Sequence, residues 1–336
     1  MDTTCTDCPR HCQSRGPHSF CGLDRPGRVL WQGVTYAEEH EISPTYEIFL
    51  TGCSLRCRFC FVPDTLYRPR DFDWQDPVEL LARLHSPRTA PFRAISFVGG
   101  DPTVNLPWLR EVLPLLRQEF PEVPLVLNTN LYSSPHLGEW YGQNFDWIVG
   151  DFHFWHPECA RTIGGAANYP DIARQNLTIL LASRTRVILR LLVLPGHIHC
   201  CLQPTLNWLE GLGAEFMVHL MTHYAPAGRA RGDHQLGRHL SPGEMQLAQG
   251  LVPHSLRRPD TQPLPGIRGR SKEVRDNGSQ IEVDASGNLL IPFVTGDLLP
   301  LAAELTPSLS NRLTYVTGEP PSSRLDRRAQ DHLAEP

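Results

Sequence analysis

Residues 53–60 read Cys53-Ser-Leu-Arg-Cys57-Arg-Phe-Cys60 and follow directly on the apolar run Tyr46-Glu-Ile-Phe-Leu-Thr-Gly52. A strand that passes into C-x3-C-x2-C gives a short loop able to turn three thiols toward one point. Three thiolates are one short of the four that usually hold an iron–sulfur cube. The missing ligand is informative, because an iron without a protein ligand has a position at which an external molecule can bind and react. A zinc knuckle is the competing reading. Zinc sites usually close with a fourth Cys or His at short range, and none follows Cys60 within the next two dozen residues.

With 336 residues, 40% of them hydrophobic, the chain can bury one large core or two modest ones. A net charge of −5 provides no global basic field, so no nucleic-acid partner is expected. A single lysine, Lys272, stands among 31 basic side chains, so a pyridoxal-phosphate Schiff base could form only there. No apolar run approaches the roughly 18 residues of a membrane span. The start, Met1-Asp-Thr-Thr-Cys5, lacks the basic and apolar regions of a signal peptide. The expectation is a cytoplasmic protein without a membrane partner, in which ten cysteines are ligands or free thiols rather than disulfides.

The first of those cysteines form a group of their own, Cys5-Thr-Asp-Cys8-Pro-Arg-His-Cys12 and then Cys21. A segment this rich in Pro, Gly and Ser cannot build its own core, and a metal would organise it. Zinc and a second iron–sulfur cluster both suit four thiols; reduced or redox-active thiols are the third reading. Residues 28–42 read as a strand or two leading into the main domain.

From residue 46, strand-like and helical runs alternate, the pattern of βα units on a parallel sheet. The strand candidates are 46–51, 94–98, 124–128, 146–151, 186–194 and 214–221, with helices over 76–85, Asn105 to Phe120 and Tyr169 to Ser183. Active sites on parallel βα sheets lie at the C-terminal ends of the strands. The polar residues there are Gly99-Gly100-Asp101-Pro102, Asn128-Thr-Asn130, Asp151 and His153, and Met221-Thr-His223-Tyr224-Ala-Pro226. Arg190 sits inside the otherwise apolar fifth run. A buried arginine needs an anion, and Asp151 or Glu215 could supply it.

The C-x3-C-x2-C loop and the glycine-rich turn at the second strand together resemble the radical S-adenosylmethionine (SAM) superfamily. The resemblance implies an α/β fold, a partial (β/α)6 radical SAM barrel with an N-terminal cysteine-rich segment and a C-terminal extension. It implies a [4Fe-4S] cluster on Cys53, Cys57 and Cys60 whose open iron chelates SAM. An electron then cleaves the sulfonium to a 5'-deoxyadenosyl radical that abstracts hydrogen from a small-molecule or peptide substrate. An external electron donor of flavodoxin or ferredoxin type is implied as partner. Phe59 would pack on the adenine, and Gly99, Gly100 and Asp101 would hold the SAM ammonium, with Asp where Glu is more usual. Asn128 and Asn130 would bond the ribose or carboxylate of SAM, a helix cap or turn being their alternative reading. Arg190 would take the SAM carboxylate, and Asp151, His153, His223 and Tyr224 would face the substrate. Cys8-Pro-Arg-x-Cys12, the Asp151 segment, Arg-x-Leu-Val-Leu-Pro-Gly and Met-x-x-Tyr-x-Pro further resemble the PflX-like subgroup, labelled as related to pyruvate formate-lyase activating enzyme. The likeness covers residues 5–228 and departs at Leu191, where His is expected, at His223, where Gln is expected, and in the shorter spacer before Cys21.

That subgroup suggests an activase that installs a glycyl radical on a partner protein. A non-catalytic iron–sulfur redox sensor is a further alternative, and it has no need of a SAM ammonium site. The loop His197-Ile-His199-Cys200-Cys201 carries ligand-type residues in short order, readable as a second metal site or as a substrate-contacting or exposed loop. Cys159 is a lone thiol of a kind that family methylases and thiyl-radical enzymes use. The domains expected are a cysteine-rich segment (1–45), the barrel (46–228), an extension (229–317) and a disordered tail (318–336). The Arg-rich part of the extension, to about 275, reads as a solvated loop or an anion clamp, followed by a hairpin over 280–292 and a short helix over 297–305.

Overall fold

Each apolar run from residue 46 onward becomes a strand of one sheet. In the computed structural model they are β2 (Thr45–Leu50), β4 (Ala94–Gly99), β5 (Leu125–Thr129), β6 (Trp147–Asp151), β7 (Arg186–Leu192) and β8 (Met217–Met221), parallel and adjacent in chain order. Ile95, Phe97, Val126, Ile148 and Val149 are buried, the signature of parallel strands covered on both faces. An antiparallel strand, β1 (Arg28–Thr35), pairs with β2 outside the parallel set, and the two-residue β3 (Asp73–Trp74) extends that edge. The structure describes residues 5–256, except 14, 15, 17, 18, 37 and 64–67, and the backbone of strands β9 (Glu282–Val283) and β10 (Leu289–Leu290).

The helices follow from local signals. Asp76 accepts hydrogen bonds from the N–H groups of Val78 and Glu79, and Pro77 opens α1 (Pro77–Leu84), an N-cap and N1 pair. The helices α2 (Leu106–Glu119), α3 (Gly138–Asn144), α4 (Tyr169–Leu181) and α5 (Gln203–Glu210) follow β4 to β7 in turn. Their buried residues recur at helical spacing, as in Leu106, Leu109, Val112, Leu113 and Leu116. The stretch after residue 229, read as loop or clamp, contains a helix, α6 (Pro242–Leu251). Ser241 and Glu244 close a reciprocal capping box on it. The expected hairpin is present as antiparallel β9 and β10. The helix expected over 297–305 and the tail 318–336 lie outside the described residues. Among the described residues, no helix is long and apolar enough to cross a membrane.

One set of contacts requires the sheet to curl. Four strand spacings separate β2 from β7, about 19 Å on a flat sheet. Yet Glu47 of β2 itself bonds Glu38 and feels the charge of Arg190 of β7, and Glu39, in the connection before β2, lies 2.6 Å from Arg190 and 3.0 Å from His219 of β8. The row therefore bends into an incomplete barrel around a charged interior, with the six C-terminal strand ends at one rim.

At that rim the backbone leaves no room for side chains at two glycines. A Cβ on Gly99 (φ +126°) would collide with the carbonyl oxygen of Leu50, and one on Gly100 with that of Gly52. Gly99→Ala should therefore cost about 3 kcal/mol or more of unfolding free energy. Gly213→Ala, at φ +60° with open space around it, should cost about 1 kcal/mol. Urea unfolding of both variants checks the contrast, and equal losses would contradict the packing read at Gly99.

Candidate active site

The loop from Gly52 to Phe61 leaves the C-terminal end of β2 and is held on three sides. From the N-terminal segment, Arg10 donates to the carbonyls of Ser54 (3.0 Å) and Gly165 (2.8 Å). Behind it, the N–H groups of Arg56 and Arg58 bond to the carbonyls of Gly164 and Ile163, both at 2.9 Å. From the start of the C-terminal extension, the Ala230 N–H bonds to the Arg58 carbonyl at 2.8 Å, and Asp233 pairs with the Arg58 guanidinium at 2.9 Å. So fixed, the loop buries Cys53 and half-buries Cys57 and Cys60, all three as free thiols. Burial pushes the thiol pKa values up, that of Cys60 to about 11; Cys57 and Cys60 add to the rise at Cys53, and Cys60 adds to that at Cys57. The Cys53 sulfur accepts hydrogen bonds from the Leu55 N–H and the Asn130 amide, both at 3.4 Å. Three converging thiols with no fourth protein ligand in their loop fit a cubane cluster with one open iron.

Asp101 holds the neighbouring strand ends in register. Its carboxylate accepts from the Thr103 N–H (2.9 Å), the Thr103 hydroxyl (2.6 Å), the Thr129 hydroxyl (3.1 Å) and the Asn130 N–H (2.9 Å). Burial raises its pKa, while these four donors oppose that shift. The side chain read as a SAM contact is thus fully engaged inside the protein. Asn130, read as a ribose or carboxylate contact, has its amide 3.4 Å from both the Cys53 sulfur and the Ser54 hydroxyl.

Arg190 has its anion, but neither Asp151 nor Glu215 is the partner. The guanidinium pairs with Glu38 (2.5 Å) and Glu39 (2.6 Å), whose side chains are 4% and 2% exposed. Asn128 reaches the same Glu38 at 3.5 Å. Across β6, β7 and β8, Asp151, Arg190 and His219 stand in one register row. Burial pushes the Asp151 pKa up to about 6 against the pull of Arg190, and burial with the nearby Glu38 also raises Glu47. Glu39 is held below the usual carboxylate range: burial opposes this, but the His219 hydrogen bond and Arg190 prevail. Glu38, Glu39, Glu47 and His219 were not singled out from the sequence. The signal available was Arg190 itself, a cation in a buried strand that demanded more than one carboxylate.

Aromatic residues wall the rim. The Phe59 ring lies 5.6 Å from His153, 6.3 Å from Phe154 and 6.3 Å from Tyr224, between centroids. The Tyr224 hydroxyl donates to the Leu236 carbonyl at 2.7 Å, so its ring rather than its hydroxyl faces this wall. His153 is different. Burial lowers its pKa to about 4, so it is neutral at pH 7, and its buried Nδ1 has no hydrogen-bond partner. A small cavity bounded by Phe152, His153, Leu191, Leu194, His197 and Cys201 opens beside it. His223 is exposed at the end of β8.

The four N-terminal cysteines come together as well. The Cys5 N–H bonds to the Cys12 carbonyl at 2.8 Å. Burial raises the Cys8 pKa to about 12, with repulsion from Cys21, Cys5 and Cys12 adding to it.

Residues 48–209, most of the parallel sheet and the three-cysteine loop, match the family model of the radical SAM superfamily. The uncharacterized protein MJ0674 of Methanocaldococcus jannaschii is 28% identical over 223 residues, 64% of this chain, and the chain spans 64% of that relative's length. Solved structures with partial likeness include methylornithine synthase, PylB (16% identity, TM-score 0.45, 61% of each chain). A second is Streptococcus suis SuiB bound to its precursor peptide SuiA (12% identity, TM-score 0.45, 61% of this chain and 44% of that one).

Replacing Arg190 by Gln strands two buried carboxylates, which should cost about 3–5 kcal/mol near pH 8. The loss should shrink toward pH 5. Without the guanidinium the folded-state pKa of Glu39 rises above its unfolded value and that of Glu38, already raised by burial, rises further, so the variant gains stability as pH falls through them. The wild type keeps the contribution of its depressed Glu39 until pH drops below the unfolded carboxylate value near 4.3. Urea unfolding at both pH values tests this; a gap independent of pH would refute the pairing.

Proposed function

We propose that this chain is a radical SAM enzyme in which Cys53, Cys57 and Cys60 hold a [4Fe-4S] cluster and the rim of the sheet binds S-adenosylmethionine beside a small-molecule or peptide substrate. The observation that carries the proposal is the converging thiol triplet, set at a strand end next to two glycines that no other residue could replace. When bound, the cluster and SAM supply one-electron chemistry that generates a hydrogen-abstracting radical.

The residues of the chain position and insulate that chemistry. Asn130 donates to the Cys53 sulfur and favours added negative charge there. The carbonyls of Gly99 and Gly100 can approach an ammonium group closely because neither residue carries a Cβ. Phe59, Phe154 and Tyr224 exclude water from the space next to the thiols, and Phe59 offers a face for an adenine. Neutral His153, with its unpaired Nδ1, can accept or donate one hydrogen bond to a ligand at the rim. An external donor of flavodoxin or ferredoxin type is part of this proposal. So is membership of the PflX-like subgroup, supported by the motifs Arg-x-Leu-Val-Leu-Pro-Gly and Met-x-x-Tyr-x-Pro. Asp151 and His223, at the ends of β6 and β8, are its further candidates for substrate contact.

After anaerobic reconstitution, the wild type with SAM and dithionite should release 5'-deoxyadenosine, and the Cys53/Cys57/Cys60 triple Ala variant should release none. Equal product from both would remove the thiol triplet from the reaction. Asn130→Leu should retain iron but shift the cluster midpoint potential by roughly 50 mV to the negative, the equivalent of one lost hydrogen bond of about 1 kcal/mol to sulfur. Electrochemistry of the two proteins measures this, and an unchanged potential would deny Asn130 that role.

A further inference from the structure

Away from the three-cysteine loop, four ligand-type side chains from two separate segments meet at one point. Cys159 ends the helical turn Pro157–Cys159 and leads into a π-helical turn, Ala160–Gly164. His197, Cys200 and Cys201 come from the loop after β7, which forms a second π-helical turn, Ile198–Leu202. The Cys159 sulfur lies 3.4 Å from His197 Nδ1 and 3.8 Å from the Cys200 sulfur, and the Cys200 sulfur lies 3.4 Å from the same Nδ1. One atom from each of the four, Cys201 included, falls within 4.8 Å of the others. Among the described residues this is the one group of three or more potential ligands drawn so close.

The spacing identifies the kind of occupant. With zinc–sulfur bonds near 2.3 Å and zinc–nitrogen bonds near 2.0–2.1 Å, a tetrahedron has edges of about 3.8 Å between sulfurs and about 3.6 Å between sulfur and nitrogen. The observed 3.8 and 3.4 Å edges match a single ion. A four-iron cube spreads its ligand sulfurs further apart. A disulfide between Cys159 and Cys200 would need a sulfur separation near 2.05 Å, and all three thiols are free. Adjacent residues on a regular α-helix point about 100° apart, whereas the wide π turn lets Cys200 and Cys201 reach one point. π turns of this kind concentrate at functional sites.

We infer that Cys159, His197, Cys200 and Cys201 form a mononuclear zinc site. Three thiolates and one imidazole complete the tetrahedron and leave no open position, the mark of a structural rather than a catalytic zinc. The ion ties residues 157–164 to residues 197–202. The first of these segments supplies the Ile163 and Gly164 carbonyls that receive the N–H groups of Arg58 and Arg56. The zinc thus braces the platform behind the loop that carries Cys53, Cys57 and Cys60.

Zinc and iron counted in the full-length protein test the inference. The variant Cys159→Ser/Cys200→Ser should lose about one zinc per chain relative to the wild type. A variant with Cys5, Cys8, Cys12 and Cys21 all changed to Ser should retain that zinc, and so should the Cys53/Cys57/Cys60 triple Ala variant. Equal zinc in the wild type and the double variant would overturn the site. A second measurement needs no variant: alkylation of the folded wild type, mapped by peptide mass spectrometry before and after a zinc chelator. Cys159, Cys200 and Cys201 should label at least tenfold faster once chelator is present. Equal labelling, or recovery of Cys159 and Cys200 as a disulfide-linked pair, would overturn the site as well. Neither measurement depends on SAM cleavage, so a failure here leaves the proposal for Cys53, Cys57 and Cys60 untouched.

Discussion

The buried carboxylate of Asp101 is the interaction on which the rim depends. Burying a charge is costly unless donors surround it, and here Thr103, Thr129 and the Asn130 backbone supply them. Those donors belong to the turn after β4 and to the end of β5, while the Asp101 N–H holds the Gly52 carbonyl at the end of β2 at 2.8 Å. Three strand ends are thereby locked in one arrangement. A consequence reaches the thiols directly: Asn130, fixed by its backbone bond to Asp101, has its amide within 3.4 Å of the Cys53 sulfur. A glutamate would carry the same charge on a longer arm, and this tight net suits the shorter side chain.

Beneath the rim, the barrel interior is charged. Glu38 and Glu39 enter from the β1–β2 connection and neutralise Arg190, while Asp151, Glu47 and His219 surround the pair. Such a buried ion cluster is weak support for stability in itself, since apolar residues of the same volume would often serve as well. Its geometric effect is larger. The pairs connect β7 and β8 to the connection beside β2, across the gap that an open sheet would leave. The curl that gathers the six strand ends at one rim, and so the concave surface available to a ligand, goes with these ion pairs.

Much of this was legible in the chain. The six strand positions, α1, α2 and α4, and β1 all stand where apolar periodicity and capping residues place them, because those signals act within a turn or a strand. The thiol loop was legible because its cysteines are close in sequence. Other features were not. The helix α6 had its capping box, Ser241 and Glu244, in plain view, but the surrounding Arg, Gly and Pro residues diluted its apolar periodicity. Arg190 announced that it needed an anion without naming it, since its partners are about 150 residues away in the chain.

What the sequence determined by itself is therefore local: which segments are strands or helices, where glycine is required, and which loop can gather three thiols for a cluster. Only the tertiary structure decided which distant groups meet. It surrounded the Asp101 carboxylate with four protein donors, set Asn130 beside a sulfur, and paired Arg190 with Glu38 and Glu39. It also brought Cys159, which as sequence is a lone thiol, to His197, Cys200 and Cys201. The physical reason is common to all four. Charges, hydrogen bonds and metal ligands act over a few ångströms of space whatever the separation along the chain, and closing the sheet on itself sets those distances.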